Sequence, residues 1–264
     1  MNRTGLLIAL AIAAVVGLVF GIYPALDLKI ETAFFKTDGR GFWVLGDPTL
    51  VTLRTWGVWV IAAIAAPAFV ALAWKLLQPR RKLVMPGRAI VFLVVTLALA
   101  PGLVTNVILK DNWGRSRPID VGEFGGSEHF VPWWDPRGDC PKNCSFVSGE
   151  ASAAFWTLAP AALVPPPWRA LAYAGALAFG SAIGLLRMAG GGHFLSDTVF
   201  AGVFTFFIIW LVHGLIYRWR ATRLTDAQVE GVIERIAMPG YEMLERLAAR
   251  LFAPMRRRDA DEPR

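Results

Sequence analysis

His193 and Asp197 stand four residues apart, and Lys110, Arg117 and Arg187 supply cations at similar junctions between apolar and polar sequence. Four-residue spacing puts two side chains on one face of a helix. A carboxylate beside an imidazole holds one tautomer and supports the charge that develops as the ring attacks. This pattern suits His193 as a nucleophile toward phosphorus, oriented by Asp197. Lys110, Arg117 and Arg187 can neutralise phosphoryl oxygens, the arginines through a planar, two-point fork. Ser148 and Gly149 stand where an apolar run begins, so their backbone N–H groups and the Ser148 hydroxyl add donors at a helix N-terminus. Phosphoryl transfer needs chiefly such positioning and charge stabilisation. No acidic cluster suggests a two-metal site, and the expected chemistry uses neither metal nor cofactor.

These residues fall in three polar clusters: Lys110 to Pro118, Ser145 to Glu150 and Arg187 to Asp197. Polar groups beside long apolar runs cost free energy unless they face protein, water or substrate. Within the first cluster, Asn112, Trp113 and Arg115 are candidates for shaping a headgroup pocket. Trp133 and Trp134 read as anchors of the loop, with covering of a lipid headgroup as the alternative. Gly190-Gly191-Gly192 lacks the strand-to-helix context of a nucleotide fingerprint and reads as a close backbone approach before His193. His129 reads as an exposed loop histidine, and His213 as a packing residue near the far end of its span. Cys140 and Cys144 share one polar segment. In an oxidising compartment they could form a short disulfide; elsewhere they are two free thiols.

The elements that must carry these clusters are membrane helices. Hydrophobic residues make up 55% of the 264-residue chain and charged residues 18%, against about 45–50% and about 25% in a soluble domain. The apolar residues gather in runs, which predicts spans at Leu7–Tyr23, Thr52–Leu77, Ala89–Leu109, Ser148–Leu163, Ala170–Leu186 and from near His193 to near Tyr217. The first is read as a retained helix rather than a cleaved signal. Arg80, Arg81, Lys82 and Arg88 give the strongest positive-inside signal. That signal places both termini in the cytoplasm and all three polar clusters on the other face. Residues 1–217 then form the catalytic membrane unit, and residues 218–264 a basic cytoplasmic tail. In the tail, Val229, Ile233, Ile236, Leu244, Leu247 and Leu251 keep helical spacing, and Pro239-Gly240 is expected to break the run. With Arg256-Arg257-Arg258 this tail suits either anionic lipid or solvent. The net charge of +7 reflects topology-setting residues, and no RNA-binding or zinc pattern supports a nucleic-acid partner.

Lys110, Arg117 and Pro118, and then Arg187, His193 and Asp197, are spaced as in the type 2 phosphatidic acid phosphatase (PAP2) superfamily, whose motifs the chain resembles between about Leu103 and Val203. The second motif of that family is Pro-Ser-Gly-His; Ser148 and Gly149 match it, while Val147 replaces Pro and Glu150 replaces His. Leu186 stands where the family usually has Ser. The resemblance implies an all-α, six-span transmembrane bundle of PAP2 type. It also implies metal-independent hydrolysis of a lipid phosphate monoester or diphosphate, through phosphohistidine, at the periplasmic face of a bacterial inner membrane. Lys110, Arg117, Ser148, Gly149 and Arg187 would bind the phosphate. Glu150 would take over proton transfer from the family His, or bind a positive group of the substrate. The basic, Trp-rich outer loop suits a large headgroup, which points to lipid A phosphate. The partners expected are that lipid and the bilayer. The alternatives are a lipid phosphotransferase and a non-catalytic protein that binds lipid phosphate.

Overall fold

The computed structural model describes residues 2–36 and 41–258, without the side chains of residues 45 and 250–258. The side chains of Leu251 and of Arg256-Arg257-Arg258, and residues 259–264, to which the tail reading extends, lie outside the described residues. The chain is an all-α membrane bundle; among the described residues β-pairing is limited to isolated bridges such as Phe35 with Phe42. Among the described residues, five helices are long and apolar enough to cross a bilayer: α1 (Arg3–Ile22), α3 (Pro48–Leu77), α4 (Gly87–Asn112), α7 (Pro166–Ala189) and α8 (Leu195–Arg218). A short α2 (Ala25–Glu31) follows α1.

Local chemistry sets the helix ends. Asn2 caps α1 by accepting from Gly5 N at 3.0 Å, and Asp47 caps α3 by accepting from Thr49 N at 2.8 Å, with Pro48 in the first turn. In α4 the backbone widens into π-type turns from Ala98 around Pro101, and Asn106 Nδ2 satisfies the Pro101 carbonyl at 2.7 Å. The widening carries α4 through to Lys110 and so fixes where that cation emerges.

The fourth expected span, Ser148–Leu163, is interrupted. It forms α5 (Gly149–Phe155) and α6 (Leu158–Leu163), both largely buried among the long helices. At the break, Thr157 Oγ1 donates to Ala154 O at 2.6 Å, and Trp156 Nε1 donates to Thr96 Oγ1 at 2.9 Å. Side-chain bonds of this kind compete with the helical ladder. Trp156, fully buried, centres the largest apolar core, which includes Phe92, Leu93, Ala65, Ile209 and Val212.

The tail helix, α9 (Asp226–Arg258), is continuous, which corrects the expected break at Pro239-Gly240. It is tied on both sides of that point, by Lys75 to Glu230 and Glu234 before it, and by Arg80 to Glu245 after it. Thr225 and Gln228 start the helix with a reciprocal capping box at 2.8 and 3.2 Å. The helix packs under the ends of α3 and α4 farthest from the polar clusters.

Candidate active site

The three clusters converge at one end of the bundle. His193 lies in the extended link between α7 and α8, and its side chain is buried. Its Nδ1 lies 2.6 Å from the Ser145 carbonyl oxygen. A carbonyl can only accept, so Nδ1 carries the proton and Nε2 presents a lone pair. Burial, reinforced by Arg187, Lys110 and Arg117, holds the His193 pKa well below its ordinary value of 6.5. The ring is therefore neutral and nucleophilic at neutral pH.

This geometry corrects the expected His193–Asp197 pairing. Helix α8 begins at Leu195, with Phe194 extended as its N-cap (φ −79°, ψ 168°), so His193 and Asp197 do not share a helical face. Asp197 instead braces the segment that holds the histidine. Its Oδ2 accepts from Ser145 Oγ at 2.5 Å and from Phe194 N at 2.9 Å. Its Oδ1 accepts from Arg115 Nη1. The orienting path runs from Asp197 through Ser145 to the ring.

Arg115 is likewise relocated. It was expected near a headgroup but is fully buried beneath the site. It donates to Asp27 Oδ2 and Ser196 Oγ, both at 2.8 Å, and to Val131 O at 3.1 Å, with Phe194 and Phe130 rings 4.6 and 5.5 Å away. An unpaired buried charge is expensive, and here two carboxylates compensate one guanidinium. Trp113 is also structural, since its Nε1 donates to Trp133 O at 2.8 Å and its ring packs on Phe146. Asn112 is exposed and caps the end of α4 through the Val107 and Ile108 carbonyls.

Lys110, Arg117 and Arg187 surround His193 closely enough to repel its protonated form. Arg117 is steadied by Asn143 O at 2.6 Å. Arg187 folds back over Gly192, where a Cβ would lie 2.5 Å from its Nη2, and Gly191 turns the link at a φ of +65°. Ser148 caps α5, its Oγ accepting from Ala151 N at 3.4 Å. Gly149 faces Lys110, whose Nζ would lie 3.7 Å from a Cβ placed there. Cys140 and Cys144 are bridged in the loop beside Arg117. Among the described residues no three His, Cys, Asp or Glu side chains converge as metal ligands.

Glu150 sits opposite the cations in a clamp that sequence reading did not anticipate. Arg54 of α3 donates to both carboxylate oxygens, Nε to Oε2 at 2.8 Å and Nη2 to Oε1 at 2.5 Å. Arg187 Nη1 lies 3.6 Å from Oε1. Arg54 carried a signal, a charge at the head of an apolar span, which is a functional mark by default. Asp27 and Ser145 carried weaker ones. His129 pairs with Asp139 at 2.9 Å on the exposed loop, and His213 packs between Phe92 and Tyr217, as their positions suggested.

Residues 89–221 match the model of the PAP2 superfamily. A protein from Francisella tularensis subsp. novicida (strain U112) named lipid A 4'-phosphatase is 34% identical over 219 residues, which is 83% of this chain and 98% of that one. Proteins of the same name come from Rhizobium etli, 35% identical over 195 residues (68% of this chain, 74% of that one), and from Rhizobium leguminosarum, 42% identical over 104 residues (39% and 45%). No solved structure matches the chain.

Proposed function

The chain belongs to the PAP2 superfamily and is a membrane lipid phosphatase, and from that premise we propose that it removes the 4'-phosphate of lipid A through a phosphohistidine. The neutral, Nδ1-bonded His193, with no bond to Nε2 among the described residues and three cations facing it, is the observation that carries this reading. His193 Nε2 forms a bond to phosphorus while the bond from phosphorus to the sugar oxygen breaks. Lys110, Arg117 and Arg187 hold the phosphoryl oxygens as charge shifts onto them, with the Ser148 and Gly149 amides at the start of α5. Water then attacks phosphorus, the N–P bond breaks and inorganic phosphate leaves.

Two protons must move, one to the departing sugar oxygen and one from the attacking water. Glu150 takes both roles in this proposal, in the place of the family histidine. Arg54 holds it as a carboxylate. An arriving phosphate monoanion competes with Glu150 for Arg187 and Arg54, and the loosened Glu150 carboxylate takes the phosphate's own proton, passes it to the departing sugar oxygen, and then accepts a proton from the attacking water.

The active site is proposed to face the periplasm of a bacterial inner membrane, with both termini in the cytoplasm. Two observations support that orientation. Arg80, Arg81, Lys82 and Arg88 lie at the bundle end opposite His193, as positive-inside placement requires. The disulfide lies at the His193 end, where an oxidising compartment would keep it.

The test is phosphate release by detergent-purified protein from lipid A and a panel of other lipid phosphates, with EDTA present. His193→Ala should lower turnover about 10³-fold or more. Glu150→Gln should lower it about 10²-fold or more. Release that survives His193→Ala overturns the mechanism. Phosphate found on a second lipid rather than in solution would mark a transferase. Binding without turnover by the folded wild type would mark a non-catalytic protein.

A further inference from the structure

A cleft of about 1000 Å³ opens between α1, α7 and α8. Phe155 of α5 and Leu158 of α6 form its floor, and Ile8, Ile12, Leu177, Val203 and Phe206 its walls. Its polar groups collect toward one end, at Asn2, Thr4, Arg169 and Tyr173, while Leu185 and Leu195 line the other. On α7 the cleft runs from Arg169 to Leu185, about 24 Å at the helical rise of 1.5 Å per residue. The hydrocarbon depth of one leaflet is about 15 Å, so the cleft accommodates an extended acyl chain along its whole length.

The cleft and the catalytic site lie on opposite faces of α7. Ile183 packs toward Gly57 of α3, the helix that carries Arg54. Leu185, two positions on and so about half a turn around, lines the cleft. A chain entering from the catalytic face would therefore meet α7 rather than the cleft. The polar end also lies at the wrong end for that substrate, since Arg169 and Asn2 are a full span away from His193.

Two groups at the polar end lack complete partners. Arg169 donates through Nε to the Val164 carbonyl at 2.9 Å, and no bond to its terminal guanidinium nitrogens is formed among the described residues. The Tyr173 hydroxyl is buried without a hydrogen-bond partner among the described residues. An Arg fork at the mouth of an apolar channel in the bilayer matches a phosphate joined to an acyl chain.

We propose that this cleft is a site for one anionic glycerophospholipid of the leaflet farthest from the catalytic site. Its phosphate sits on the terminal guanidinium nitrogens of Arg169, and one acyl chain lies in the cleft toward Leu185. The lipid joins α1 to α7 where protein contact is thin.

The experiment uses the full chain, delipidated in detergent and titrated with phosphatidylglycerol or phosphatidylcholine. Bound lipid is counted by native mass spectrometry, and turnover of the lipid A substrate is measured in parallel. Wild type should retain one phosphatidylglycerol in preference to phosphatidylcholine. Arg169→Gln should lower that retention about tenfold, the loss expected for one charged hydrogen-bonded contact. Ile12→Trp, which fills the cleft from a position 43% exposed, should remove both lipids. Both variants should keep the wild-type kcat and KM. Equal phosphatidylglycerol retention by wild type and both variants overturns the proposal. So does a raised KM for lipid A in Ile12→Trp, which would give the cleft to a substrate chain. Failure of wild type to turn over lipid A would bear on the catalytic reading and leave the lipid count standing.

Discussion

Ser145 contributes two separate groups to the site, and the two can be told apart. Its carbonyl fixes the His193 tautomer, and its hydroxyl ties the same segment to Asp197. Ser145→Ala keeps the first and removes the second. The expected result is a fall in kcat of about 10- to 100-fold with KM changed little, because a slightly misplaced nucleophile loses attack geometry rather than affinity. An unchanged kcat would show that the Asp197 brace has no part in positioning the ring. The pH profile tests the ring itself. The neutral form attacks, and the pKa is pushed well below 6.5, so the competent form persists as pH falls through 6.5. Rapid-quench measurement of phosphoenzyme formation should show no loss between pH 7.5 and 6; a drop centred near 6.5 would contradict the buried, cation-ringed environment. The cations and His193 were legible in the sequence because a charge beside an apolar run has few reasons to be there. The Ser145 carbonyl was not, since every residue has one. The Glu150 clamp was hidden for a related reason: Arg54 lies 96 positions away, and nothing in one sequence pairs them.

The long helices were likewise legible as apolar runs, and their ends fall within a few residues of the expected ones. The interrupted α5–α6 pair was not, because its break depends on what Trp156 and Thr157 find in space, Thr96 and the Ala154 carbonyl. The tail helix makes the same point. Pro239-Gly240 reads as a stop, yet tertiary ties on both sides hold α9 straight. The principal tie is Lys75, whose ammonium, 2% exposed, donates to the Pro79 and Arg81 carbonyls at 2.7 Å each and to Glu230 and Glu234 at 3.1 and 3.3 Å. Lys75→Ala would leave those acceptors facing a cavity. The cost is about 1–3 kcal/mol, below that of a wholly buried pair because both glutamates keep contact with water. Limited proteolysis should then cut α9 faster, and the unfolding midpoint should fall, while turnover per folded molecule stays at the wild-type level. A loss of turnover matching the loss of α9 would instead couple the tail to the site across the bundle.

Across the whole molecule, the polar end is supported by buried groups, and these make its stability depend on pH. Glu31, at the end of α2, is fully buried, and neither of its oxygens has a partner among the described residues. Asp197, Asp27 and Arg115 face it. Burial first, then the two aspartates, push its pKa up to about 10, against the opposing pull of Arg115. Glu31 is therefore protonated in the folded protein at neutral pH, and it ionises on unfolding, where its pKa is about 4.5. An acid raised on folding contributes stability that is whole below the unfolded pKa and is lost as pH rises toward the folded one. Each pH unit in that window removes about 1.4 kcal/mol, so a rise from pH 7 to pH 9 costs about 3 kcal/mol. His193 acts in the opposite sense: its lowered pKa makes stability fall as pH drops below 6.5. Glu31→Gln keeps the shape of the side chain and removes its proton equilibrium, so unfolding midpoints in detergent between pH 6.5 and 7.5 should decline with pH more steeply in the wild type than in the variant. Parallel declines would mean that Glu31 is ionised in the fold, which a carboxylate without a hydrogen-bonding partner beside Asp27 and Asp197 could not sustain.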